Sequence, residues 1–132
     1  PHQKHLIPGS LEVLEALRDR GHEIHILTNG FSEVQHIKVT NTGISNWIDH
    51  LLTSEELGHL KPAQACFDAA LKWTGASKEQ AWMIGDDHEA DVVGAHGAGW
   101  KTVFFNPDDH VQPHSPASAQ VGALQELLAV LP

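Results

Sequence analysis

Three short stretches of this chain carry residue types at spacings that could do chemistry. Thr28-Asn29-Gly30 puts a hydroxyl and successive backbone N–H groups where an apolar run breaks. A turn of this kind entering a helix suits an anion, because the helix start adds a partial positive charge. The same residues also make an ordinary turn with a strong breaker pair. Lys61 stands in Gly58-His59-Leu60-Lys61-Pro62, ahead of an amphipathic stretch. An ammonium held there could place a point charge on a phosphate; a solvated surface lysine is the plain alternative. Gly85-Asp86-Asp87-His88-Glu89-Ala90-Asp91 ends another apolar run with two adjacent carboxylates and a third five residues after the first. Hard cations such as Mg²⁺ take carboxylate oxygens and water. Two like charges at the end of a buried strand are costly without a cation. An acidic first helical turn would explain the same residues without a metal.

The elements that must position these groups follow from periodicity and breakers. Pro8-Gly9-Ser10 opens a helix to about Arg20, with Leu11, Leu14 and Leu17 on one face and Gly21 at its end. Residues 23–28 read as a strand, broken by Asn29-Gly30. Ser32-Glu33-Val34-Gln35 has capping-box spacing and starts a helix that ends near Gly43. His50-Leu51-Leu52-Thr53 reads as a strand, and Pro62 sits just inside a helix that buries Cys66, Phe67, Ala70 and Leu71 and stops at Gly75. Ala81-Trp82-Met83-Ile84 is a strand, and a helix rich in small residues follows from about Glu89 to Ala98. Lys101–Phe105 is a strand, residues 106–116 are a polar loop, and a last helix runs from about Gly122 to Val130.

This alternation predicts an α/β fold with a doubly wound, mainly parallel sheet and helices on both faces. Functional groups in such sheets gather at the carboxyl ends of the strands. A hydroxyl, an ammonium and a carboxylate pair are therefore expected on one sheet edge. That is the set needed to hold a transferring phosphoryl group, a reaction that depends mostly on positioning and charge neutralisation.

At this point the sequence resembles a family. Ile26-Leu27-Thr28-Asn29-Gly30, Leu60-Lys61-Pro62 and Met83-Ile84-Gly85-Asp86-Asp87 with Asp91 are similar to the second, third and fourth motifs of the haloacid dehalogenase-like hydrolases. Ala98-Gly99 before the next strand also matches, and the resemblance runs from Ile7-Pro8-Gly9 to the last helix. Asn29-Gly30-Phe31 and Ser54-Glu55-Glu56-Leu57-Gly58 look most like the branch containing bacterial pyrimidine 5'-nucleotidases. The resemblance implies a Rossmann-like core and a role for each residue. Thr28, with Asn29 and Gly30, would bind phosphate. Lys61 would neutralise the phosphate and the nucleophile. Asp86 would coordinate Mg²⁺, and Asp87 could add a ligand. Asp91 would orient Lys61 or water on the metal. The acidic motif points to a phosphatase within the family, since a dehalogenase needs no metal. The implied substrate is a small phosphorylated metabolite, with a nucleoside monophosphate as first guess.

The family's first motif, a D-x-D pair whose first Asp becomes the aspartyl-phosphate, occurs nowhere in these 132 residues. The nearest acidic pairs, Asp86-Asp87 and Asp108-Asp109, are adjacent and in the wrong place. The chain opens on Pro1, and its one methionine is Met83. Residues 1–132 are thus expected to be the C-terminal part of one hydrolase core domain, with the first central strand and the cap domain absent. Two apolar strand edges would then lack partners. The segment is expected to need the missing N-terminal sequence to fold and to be inactive alone.

Other readings are weaker. A non-catalytic domain that binds a phospho-ligand or a partner chain is one alternative, and a phosphosugar phosphatase or mutase of the same superfamily is another. A response-regulator receiver has its acidic pair early and its lysine late, whereas Lys61 precedes Asp86. Gly94-Ala95-His96-Gly97-Ala98-Gly99 precedes a strand and lacks dinucleotide-loop spacing. No G-x-S-x-G is present for a serine hydrolase. Cys66 reads as a core thiol. The 11 histidines lack zinc spacing, and only His88, inside the acidic motif, invites a test. Eight Lys/Arg against 17 Asp/Glu, net −9, leave no basic cluster for a nucleic-acid polymer. No apolar run spans a membrane. The single cysteine and the lack of a signal-peptide pattern fit a reducing, cytoplasmic compartment.

Overall fold

The computed structural model describes residues 10–30 and 44–132. The expected helix over 32–43, together with Phe31 and the chain start, lies outside the described residues. Two compact units divide the chain, Pro1–Leu57 with Leu124–Pro132, and Gly58–Ala123.

In the first unit, helix α1 (Ser10–Asp19) buries Val13 and Leu17, which are 2% and 7% exposed. The expected face of Leu11, Leu14 and Leu17 is therefore rotated. Val13 and Leu17 lie one turn apart at i, i+4, and Leu11 in the first turn stays exposed. Gly21, at φ 91°, ends the helix in a Schellman arrangement, with its N–H on Arg18 O and the His22 N–H on Leu17 O. Strand β1 (His25–Thr28) pairs parallel with β2 (His50–Thr53), with Thr28 opposite Thr53. Arg18 Nη1 and the Ile24 N–H both donate to Asp49 Oδ2, at 2.9 and 2.7 Å, and fix the entry to this pair. Burial pushes the Asp49 carboxyl up, but these two hydrogen bonds and the Arg18 charge outweigh it, so it lies below its ordinary value. Helix α2 (Ser54–Leu57) is N-capped by Thr53. The Glu56 N–H donates to Thr53 Oγ1, whose hydroxyl donates to Glu56 Oε1.

In the second unit, helix α3 (Gln64–Thr74) buries Cys66, Phe67 and Ala70 and ends on Gly75 in the left-handed conformation. Pro62, expected inside this helix, instead lies two residues ahead of it in a turn. Ala63 keeps an extended ψ of 133°, so helical geometry cannot begin until Gln64. Strands β3 (Trp82–Gly85), β4 (Lys101–Phe105) and β5 (Ala119–Val121) form a parallel sheet in the order β3-β4-β5. All the described strand pairs are parallel, as expected for a Rossmann-like sheet.

Strand β5 was not expected. Three residues are too short for alternation to show, and its evidence is the pairing itself, Val103 opposite Ala119 and Phe105 opposite Val121. The single helix expected over 89–98 is a π-helical stretch (His88–Val93) running into α4 (Gly94–Gly97). The last helix is also shorter than expected. A 3₁₀ turn (Leu124–Glu126) leads into α5 (Leu127–Val130), back in the first unit. No described helix is long and apolar enough to cross a membrane.

Candidate active site

The phosphate-turn candidate lies in the first unit. β1 delivers Thr28 at its carboxyl end, where Asn29-Gly30 breaks the strand. The Gly30 N–H donates to Thr28 Oγ1 at 3.1 Å, a tight hydroxyl turn. Ser54 Oγ donates to the Asn29 carbonyl at 3.1 Å, which ties the turn to the start of α2. The turn is thus tied to the start of the helix that follows β2, and Ser54, which the sequence marked only as part of a branch-like stretch, is a supporting residue.

The second unit holds the lysine and the acidic motif. Lys61 Nζ donates to Asp91 Oδ1 at 2.6 Å, with side-chain exposures of only 10% and 7%. Asp91 Oδ2 accepts from the Asp87 N–H at 3.3 Å, so both carboxylate oxygens are engaged. Removing one member of such a buried pair leaves an uncompensated charge, which costs about 3–5 kcal/mol. The pair therefore requires both residues, and the expected link between Asp91 and Lys61 is a direct ion pair. Gly85 explains how Asp91 fits, because a Cβ added there would overlap the Asp91 carboxylate. The glycine before the acidic pair is thus a seat for the aspartate six residues later.

Asp87 and Asp86 differ sharply. Asp87 is the N-cap of the π-helical stretch, its Oδ1 accepting from the Ala90 N–H at 3.0 Å. Asp86 is exposed, and among the described residues its carboxylate has no hydrogen bond or ion pair. No group of three or more His, Cys, Asp or Glu among the described residues is arranged to hold a metal by itself. One open carboxylate at a strand end still fits Mg²⁺, which keeps several waters and takes one or two protein carboxylates.

His88 is held by packing. Its Nε2 lies 2.7 Å from Ser115 Oγ, and its ring meets Phe104 edge-on at 4.9 Å. Ser115 is 27 residues away, so no local pattern could have announced the contact. Cys66 is fully buried, as the sequence suggested; burial pushes its thiol up, and the Lys61 charge opposes this in part.

Comparison with known proteins adds the decisive observation. The family model for haloacid dehalogenase-like hydrolases matches residues 2–105. The chain belongs to the haloacid dehalogenase-like hydrolase family. It is 39% identical over 104 residues to the ribulose-1,5-bisphosphate 5-phosphatase of Halopiger xanaduensis, covering 79% of this chain and 44% of that protein. It is 36% identical over 127 residues to the pyrimidine 5'-nucleotidase YjjG of Escherichia coli, covering 95% of this chain and 56% of that protein. Among solved structures, magnesium-bound YfnB of Bacillus subtilis superposes with a TM-score of 0.91 at 28% identity, covering 97% of this chain and 57% of that one. The chain spans about half the length of the curated relatives it matches.

Proposed function

We propose that this chain is the core part of a Mg²⁺-dependent phosphomonoester hydrolase whose nucleophilic aspartate is supplied by sequence outside these 132 residues. The observation that carries the reading is the buried Lys61–Asp91 pair, set beside an acidic strand end by Gly85. A buried ammonium held against a carboxylate is a preorganised charge that can stabilise an anion gathering charge during reaction. Lys61 neutralises the phosphoryl group, and Asp91 holds it in place. The Thr28 hydroxyl, held in its turn by the Gly30 N–H, and the Asn29 N–H would bind phosphoryl oxygens. Asp86 would hold Mg²⁺, with Asp87 nearby as cap and possible further oxygen donor. The metal, when bound, supplies charge neutralisation at the phosphoryl oxygens.

The substrate class is a small phosphorylated metabolite. Relatives named as a pyrimidine 5'-nucleotidase and a sugar bisphosphate phosphatase support that class. We take a nucleoside monophosphate as the first substrate to try. The test is a screen of the complete gene product for phosphate release from nucleoside monophosphates and sugar phosphates, with and without a chelator. Chelator-sensitive release from at least one of them is expected. No release from any of them in Mg²⁺ would overturn the reading.

A further inference from the structure

One helical segment grips two consecutive loop residues. Asp91 takes the Lys61 ammonium at 2.6 Å. Three positions on, Gly94 meets the next loop residue, Pro62. A Cβ built on Gly94 would stand 2.9 Å from Pro62 Cβ, 3.0 Å from Pro62 Cα and 2.9 Å from Phe67 Cε2. Real Cβ atoms almost never come so close, and Pro62 Cα is backbone that no rotamer change can move. Phe67 has no freedom to yield either. It is fully buried and meets the Trp100 ring edge-on at 5.3 Å.

We infer that Gly94 is a positioning residue for Lys61: its missing side chain sets how deep the Lys61-Pro62 loop sits, and so where the ammonium is held against Asp91. The inference rests on the proposed role of Lys61 in phosphoryl transfer. A methyl group at Gly94 must push the loop outward while leaving Asp91 seated on Gly85. The ammonium then moves relative to its carboxylate by a few tenths of an ångström or more. Displacements approaching 1 Å cost on the order of a hundredfold in rate. Gly97 provides the control, since a Cβ there meets nothing within 4 Å.

The experiment is a double-mutant cycle in the complete gene product, with NMR of the Lys61 Nζ resonance, assigned by its loss in Lys61→Ala. Gly94→Ala should lower kcat by about ten- to a hundredfold, with KM changed much less, while Gly97→Ala stays near wild type. In the Lys61→Ala background, Gly94→Ala should change kcat less than about twofold, because its effect runs through the missing ammonium. A further tenfold loss there would overturn the inference, as would a Lys61 Nζ resonance that Gly94→Ala leaves unmoved. Should Gly94→Ala not fold, the same cycle in Phe67→Leu removes the ring contact and keeps the Pro62 contacts. Should wild type release no phosphate at all, the proposed function fails, and the Nζ resonance alone still decides whether Gly94 positions Lys61.

Discussion

Lys61 shows how a residue with a plain surface reading becomes a site candidate. Its sequence neighbourhood offered only a lysine before a proline. The structure buries it on Asp91, a residue 30 positions away. Asp91 in turn needs the space left by Gly85. The types were readable in the sequence, and the resemblance assigned their roles. The pairing was not readable, because a three-dimensional contact leaves no local spacing. Asp49 is the opposite case, a residue that no motif marked. Partial desolvation pushes its carboxyl up, but hydrogen bonds from Ile24 and Arg18 hold it below the ordinary range. A carboxylate with a depressed folded pKa adds stability above its unfolded value and loses it as the pH falls through the folded one. The melting temperature of the complete gene product should therefore drop on acidification below about pH 4. Asp49→Asn should flatten that drop, which thermal melts between pH 2 and 6 would detect; identical acid profiles would refute the assignment.

The π-helical stretch His88–Val93 organises most of the second unit's chemistry. Its cap is Asp87, its buried acid is Asp91, and the glycine that follows it meets Pro62. π-helical turns within helices are rare and frequently sit at functional sites. The sequence suggested one regular helix here, since small residues and an acidic start look the same in either geometry. Adjacent carboxylates also looked alike, yet one caps and the other is open. Asp87→Ala should cost about 0.5–2 kcal/mol of stability through the lost cap. Asp86→Ala should change stability by less than about 0.5 kcal/mol. Urea unfolding of both variants separates the roles, and equal losses would contradict this division. Strand boundaries were read well where apolar runs met strong breakers, as at Thr28 and Phe105. β5 was missed because three residues carry no period.

Across the chain, α/β alternation predicted parallel pairing, and every described strand pair is parallel. What alternation could not show is which strand completes each sheet. The four residues of β1 are all only half-buried, although Ile26 and Leu27 are apolar. A strand with both faces covered and both edges paired would bury them. Under the proposed function the nucleophile, and a further strand with it, would come from sequence outside these residues. The net charge of −9 on these 132 residues then has a use as well as a cost. An acidic protein that binds an anionic substrate needs fixed positive charge, and Lys61 with a cation on Asp86 would supply it. The most direct test is phosphate release by the complete gene product, titrated with Mg²⁺, for wild type and Asp86→Asn. The account predicts Mg²⁺-dependent turnover in wild type and none in Asp86→Asn at any Mg²⁺ concentration. An Asp86→Asn protein with wild-type turnover and wild-type Mg²⁺ dependence would contradict it.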